Sequence, residues 1–204
     1  IRWKRPAFLR GMAVLALFNL VLSAALIVGI PVAVVQVLNM SDSRLGLTQG
    51  AMGLGGLLGG VLIASVGGRL RLRQGSILLL AASLAAAIMA AALLPGIAAS
   101  AGYWTMTAMS FAMMVMSTML VVLLSAAVQR QTPPELLGKV MAFIMAAVNC
   151  ASPLGQVIYG VLFGKCAAWA VLLGAAAAAS VTAVYSRRAF YELDADGRGG
   201  QDHA

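Results

Sequence analysis

This sequence has almost no acid–base chemistry to offer. Its single histidine, His203, lies at the end of the chain, and Cys150 and Cys166 are its only cysteines. If one helix carries both cysteines, they stand about 24 Å apart at about 1.5 Å per residue, too far for a disulfide. Neither a histidine-based catalytic centre nor a disulfide scaffold nor a metal site is expected. Only 10% of the 204 residues are charged, against about 25% in soluble domains, which argues against a soluble fold. Inside the long apolar stretches there is no Asp, Glu, Lys, Arg or His. This segment alone therefore supplies no proton relay or ion path across a membrane. It also lacks what an intramembrane protease needs, a nucleophile with a base or paired carboxylates. The chain is read as not an enzyme, with no cofactor of its own.

What the sequence does have is apolar length. It is 62% hydrophobic, and six runs approach the roughly 20 residues that cross a bilayer. They lie at about 11–38, 46–66, 76–94, 103–128, 140–163 and 169–186. They are continuously apolar without period-2 alternation, so they are expected as helices rather than barrel strands. Residues 1–10 form a basic lead-in with Trp3 as an interface anchor, residues 11–188 the transmembrane domain, and residues 189–204 an acidic, glycine-rich tail expected to be disordered. The basic start followed by an apolar run imitates a signal peptide. However, the uncharged run from Gly11 to Asn39 exceeds the usual h-region of about 7–15 residues. It is read as a span, and the chain, which starts at Ile1, as a piece of something longer.

The net charge of +8 follows from topology. Six spans put both termini on one side. On that side lie Arg2, Lys4, Arg5, Arg10, Arg69, Arg71, Arg73, Arg130, Lys139, Arg187, Arg188 and Arg198; on the other lie only Arg44 and Lys165. Cytoplasmic loops carry the cations, so both termini are expected in the cytoplasm and the protein in the plasma (inner) membrane. The charge needs no nucleic acid to explain it; the expected partner is the lipid bilayer.

Gln129–Gly164 joins a short charged segment to an apolar helix with Pro153 in its middle. Thr132–Glu135 reads T-P-P-E, which predicts a capping box with proline at the first helical position. A weak internal repeat relates Leu58–Gly68, LGGVLIASVGG, to Leu154–Gly164, LGQVIYGVLFG, with four of eleven positions identical. The two runs belong to the second span of each set of three, which cross in opposite directions, as an inverted 3+3 repeat requires.

Three groups of residues are candidates for function. In span four, Thr107, Ser110, Met114, Ser117 and Val121 share a helical face, and six of the twelve methionines fall in this span. Flexible methionine suits adaptable apolar recognition, so the face reads either as a cavity wall or as helix packing with hydroxyls bonded to their own helix. In span five, Asn149 and Gln156 share a face, and Pro153 deprives the Asn149 carbonyl of its helical partner. That polar spot reads as a kink or as a substrate contact. Asn19 in span one is a lone amide suited to inter-helix bonding or to substrate. Glycine pairs four apart, Gly46/Gly50, Gly55/Gly59, Gly56/Gly60 and Gly160/Gly164, predict close helix contacts.

With these residues in view, the chain resembles the C-terminal half, six spans, of a major facilitator superfamily transporter, over about Pro6–Arg188. The loop after span two looks like the family's loop motif, with Gly60 and Gly67 at its glycine positions and Arg69 and Arg71 in its basic end. Ala64 and Ser65 stand where that motif has an acidic and a basic residue, so its charge latch is missing here. T-P-P-E-L-L-G-K, ending at Gly138 and Lys139, is similar to the loop before the family's eleventh helix. Pro153–Gly160, with Gly155, resembles that helix, in the manner of the macrolide-efflux and siderophore-export branch. The resemblance implies an all-α membrane protein with six transmembrane helices in an inverted 3+3 repeat, half of a major facilitator fold. It implies a proton-coupled exporter of lipophilic small molecules, drug-like or macrolide-like, working by alternating access with an N-terminal six-helix half in the same full-length chain. Spans one and four would line the cavity, with Asn19, Ser110, Met114 and Ser117 toward substrate. Apart from this resemblance, a self-contained six-span scaffold or permease subunit with a separate partner fits the same runs.

Overall fold

The computed structural model describes residue 17 and residues 19–67, 74–132 and 134–199. Six of its helices are long and apolar enough to cross a membrane, and no strand occurs among the described residues. The first, α1, is composite: a π-helical turn at Asn19–Ser23, an α-helical stretch at Ala24–Pro31 and a second π-helical turn at Val32–Val37. Then come α2 (Asp42–Val66), α3 (Gly75–Ala92), α4 (Ala99–Gln131), α5 (Pro134–Lys165) and α6 (Ala168–Gly199). Each corresponds to one of the six apolar runs.

The helices pack out of chain order. α2 lies along α4, α3 between α4 and α6, and α1 against α5 and α6. The core lies where small residues let helices approach. Ala82, Ala86 and Ala90 of α3 and Ala175, Ala176, Ala179 and Ala183 of α6 are all buried in one cluster with Leu22, Leu26 and Ile30 of α1 and Met106 and Met113 of α4. Lipid tails are as apolar as these side chains, so association rests on close van der Waals fit rather than on hydrophobic drive. Alanine serves that fit because it adds no rotamers to freeze.

The helix ends differ from the sequence expectation in two places. Thr132 does not open α5 with a capping box. Its φ and ψ are −103° and 127°, the extended conformation imposed on a residue before proline. Its hydroxyl donates back to the Val128 carbonyl at 2.7 Å. Thr132 therefore closes α4, and α5 starts only at Pro134. At the other end of the chain, α6 continues as helical backbone to Gly199, through residues expected as disordered tail. Ala189, Tyr191, Glu192, Leu193 and Ala195 supply enough helix-forming residues to carry the preceding helix onward.

Candidate functional site

Two close helix crossings, one on each side of the bundle, set the geometry. On one, α2 meets α4 through Thr48, Gly55 and Gly59. A Cβ built on Gly55 would fall 2.5 Å from the Phe111 carbonyl oxygen, and one on Gly59 2.6 Å from that of Val115. On the other, α5 meets α1 through Gly155, where a Cβ would fall 2.6 Å from Ala24 Cβ and 2.7 Å from the Leu20 carbonyl oxygen. Only glycine fits either place. The remaining expected glycine contacts do not form: Gly46, Gly50, Gly60, Gly160 and Gly164 face open space, and Gly56 meets only ordinary contacts. On α2 the spacing predicts close approach correctly but in several phases, of which packing uses one; on α5 the expected Gly160/Gly164 pair makes no contact and Gly155 does.

The first crossing is stitched by polar side chains. Thr48 is fully buried; its hydroxyl donates to the Arg44 carbonyl at 3.1 Å and lies 2.9 Å from the Thr107 hydroxyl. A hydroxyl has one proton to give, so Thr107 is the donor in that pair. The Tyr103 hydroxyl donates to the same Arg44 carbonyl at 3.1 Å. The Arg44 guanidinium stands 5.3 Å from the centroid of the Tyr103 ring, within cation–π range. Thr48 was not singled out from sequence. The available signal was Thr48, Gly55 and Gly59 at spacings of seven and four on one helical face.

Of the candidate residues of span four, Thr107 and Met114 lie at this crossing. Thr107 is spent on Thr48. Ser110 is fully buried and donates to the Met106 carbonyl at 2.7 Å. Met114 fits beside Gly55 and Gly56, and Ser117 is half-buried. For Thr107 and Ser110 the geometry is that of helix packing.

The other candidates lie on α1 and α5, the two helices that meet at Gly155. Of Asn19 only the backbone is described, at the start of the first π-helical turn. Its neighbour Leu20 presents its carbonyl to Gly155, so Asn19 sits at the level of α5 where the polar residues lie. Along α5, Asn149, Ser152 and Gln156 follow three-and-four spacing on one face, near the middle of a 32-residue helix. The Gln156 amide nitrogen donates to the Ser152 hydroxyl at 3.1 Å. Asn149 is exposed, as is Pro153, and α5 runs through Pro153 unbroken. Ser152 was not singled out from sequence, although its spacing puts it on the face of Asn149 and Gln156. The site is a neutral polar stripe of amides and a hydroxyl, flanked by the Tyr159 and Phe163 rings with centroids 6.3 Å apart. It can exchange hydrogen bonds with a ligand but has no charge to neutralise one.

The loop candidates are scattered. Gly60 is half-buried on the open side of α2, and Gly67 caps that helix with φ −59°. Ser65, at a position where the loop motif has a charge, donates its hydroxyl to the Val61 carbonyl at 2.9 Å. Arg69 and Arg71 lie outside the described residues. Gly138 and Lys139 are exposed in the first turns of α5. No group of His, Cys, Asp and Glu able to hold a metal occurs among the described residues.

Nothing among curated proteins or solved structures matches the chain. A family model does: that of the Major Facilitator Superfamily matches residues 1–156. Together with six membrane-capable helices, this makes the chain a multi-pass membrane protein that belongs to the Major Facilitator Superfamily, a family of membrane transporters.

Proposed function

We propose that the chain is the C-terminal half of a secondary active exporter of lipophilic small molecules, coupled to protons and working by alternating access. The observation that carries this reading is the neutral polar stripe Asn149, Ser152 and Gln156 at mid-helix in α5, beside the irregular first turn of α1. Within apolar helices a few convergent polar groups fix orientation while the apolar wall supplies affinity. Amides and a hydroxyl suit an uncharged or delocalised molecule with a few hydrogen-bonding groups, such as a macrolide-like compound. Asn19 and Asn149 would contact it, with Met114 and Ser117 shaping the wall from α4.

Coupling carboxylates would come from an N-terminal six-helix half in the same full-length chain, since the apolar runs of this chain contain none. The asymmetry of cations supports cytoplasmic termini and an inner-membrane location. An inverted 3+3 repeat is supported by Gly59 and Gly155, which align in the two related runs. Each lets the second helix of one triplet touch the first helix of the other. The test is the double variant Asn149→Leu/Gln156→Leu, with efflux and membrane expression measured together. Normal expression with export lost is expected. Normal export would remove the α5 stripe from the substrate path.

A further inference from the structure

The turn that joins α1 to α2, Leu38–Ser41, is short and held at several points. Leu38 lies against the start of α4, where a Cβ on Gly102 would fall 3.1 Å from Leu38 Cδ2. Asn39 adopts φ +51°, a left-handed conformation that asparagine tolerates better than most residues. The N–H of Met40 donates to the Val34 carbonyl at 3.0 Å, and that of Arg44 to the Ser41 carbonyl at 2.9 Å. The Arg44 carbonyl accepts from Thr48 and from Tyr103. With both backbones fixed, Met40 and Arg44 meet across four residues: the guanidinium donates to the Met40 sulfur at 2.6 Å.

That pairing is chemically uneven. A guanidinium has five donors and a full charge, whereas a thioether sulfur is a weak acceptor. Among the described residues Arg44 has no carboxylate partner, only this sulfur and the face of the Tyr103 ring. Met40 is also set apart by place. Among the described methionines it alone lies outside a helix; the others lie in α2 to α5, within stretches apolar and long enough to cross a membrane. Met40 is half-buried and Arg44 exposed, so the pair lies at the surface, within reach of a reagent dissolved in water.

We propose that Met40 is a reversible oxidation site and that Arg44 is the receptor for its product. The oxidant is a peroxide. A lone pair of the Met40 sulfur attacks one peroxide oxygen, and the S–O bond forms as the O–O bond breaks. With hydrogen peroxide, the departing hydroxide takes the proton left on the transferred oxygen and leaves as water. The sulfur gives up two electrons and the peroxide gains them. The product sulfoxide is polar, and its oxygen is a stronger acceptor than the sulfur it extends. With the guanidinium already at that sulfur, a small retreat to about 2.8 Å gives a charge-assisted N–H···O bond. In a packed core a methionine sulfoxide disrupts its surroundings. Here it tightens the hold of the α1–α2 turn on Arg44 and, through the Tyr103 ring, on α4. Enzymatic reduction restores the thioether, so the tie can be undone.

The experiment treats the purified full chain in detergent with limiting hydrogen peroxide and follows each methionine by peptide mass spectrometry. Met40 is expected to oxidise several-fold ahead of any other described methionine. The chain carrying one added oxygen should melt about 3 °C above the untreated chain, the shift of one further bond to a charged group in a chain of this size. Treatment with methionine sulfoxide reductases should return the original melting temperature. Arg44→Gln should abolish the gain, and Met40→Leu given the same peroxide dose should show none. Earlier oxidation of a methionine within a span overturns the proposal. So does a melting temperature that falls or stays level on oxidation of Met40, and so does a gain that survives in Met40→Leu. If Arg44→Gln does not fold, the comparison with Met40→Leu still decides. No transport is measured, so the result stands apart from the exporter reading.

Discussion

Alanine at Gly59 and alanine at its neighbour Gly60 should have different consequences, although the two substitutions are chemically identical. A methyl group on Gly59 would stand 2.6 Å from the Val115 carbonyl oxygen and 3.1 Å from Thr118 Cβ, whereas one on Gly60 meets nothing within 4 Å. Ordinary contact begins near 3.4 Å, so α2 must withdraw from α4 by about 0.8 Å to admit Gly59→Ala. The neighbour is backbone and has no rotamer to change, so the withdrawal spreads along the crossing to Gly55 and to the 2.9 Å Thr48–Thr107 bond. Overpacking of this kind costs about 1–3 kcal/mol, and loosening an inter-helix hydrogen bond adds about 0.6 kcal/mol. The opposing gain in helix propensity, up to about 1 kcal/mol in water, largely cancels, because helices separated within a bilayer stay helical. Gly59→Ala should therefore lower stability by about 2 kcal/mol, a fall in Tm of about 5 °C by the soluble-protein scale; Gly60→Ala should leave it within about 0.5 kcal/mol. Thermal unfolding of the purified chains in one detergent, followed by tryptophan fluorescence, measures both. Equal melting temperatures would refute the placement of the crossing on the Gly55–Gly59 face.

Other expectations follow from the same contacts. Gly155→Ala should destabilise like Gly59→Ala while Gly160→Ala does not, by the same melting assay, because only Gly155 abuts α1. Thr48→Val and Thr107→Val should each cost about 0.6–1.7 kcal/mol, and the double variant less than their sum, since the two share one bond; an additive double-mutant cycle would contradict it. Tyr103→Phe should cost about 1 kcal/mol by freeing one hydroxyl–carbonyl bond while keeping the ring under Arg44, so unfolding should shift but the Arg44 contact, read by an Arg44→Ala/Tyr103→Phe cycle, should persist.

The six spans were legible because a bilayer demands apolar length and offers no water to excuse an exception. Their ends were less so. Thr132 reads as an N-cap in the sequence, yet the proline after it forces extended backbone, and its hydroxyl takes the nearest free carbonyl, that of Val128. The glycine pairs announced close packing, but four-residue spacing recurs in several phases along α2. The phase that is used is selected by Thr48 finding Thr107, a partner 59 residues away. Asn149 and Gln156 were readable as one face of α5. That Asn19 belongs at the same level was not, because it depends on where α1 crosses α5. The π-helical turns of α1 left no mark in the sequence beyond Pro31.

The proposed activity is export of a lipophilic molecule against its gradient at the expense of protons. Its most direct test is the accumulation of a radiolabelled macrolide in cells expressing the full-length gene and in cells lacking it, each with and without a proton uncoupler. Lower accumulation is expected in expressing cells, with loss of that difference when the uncoupler is added. Equal accumulation in the two cell types, or a difference that the uncoupler leaves untouched, would contradict it.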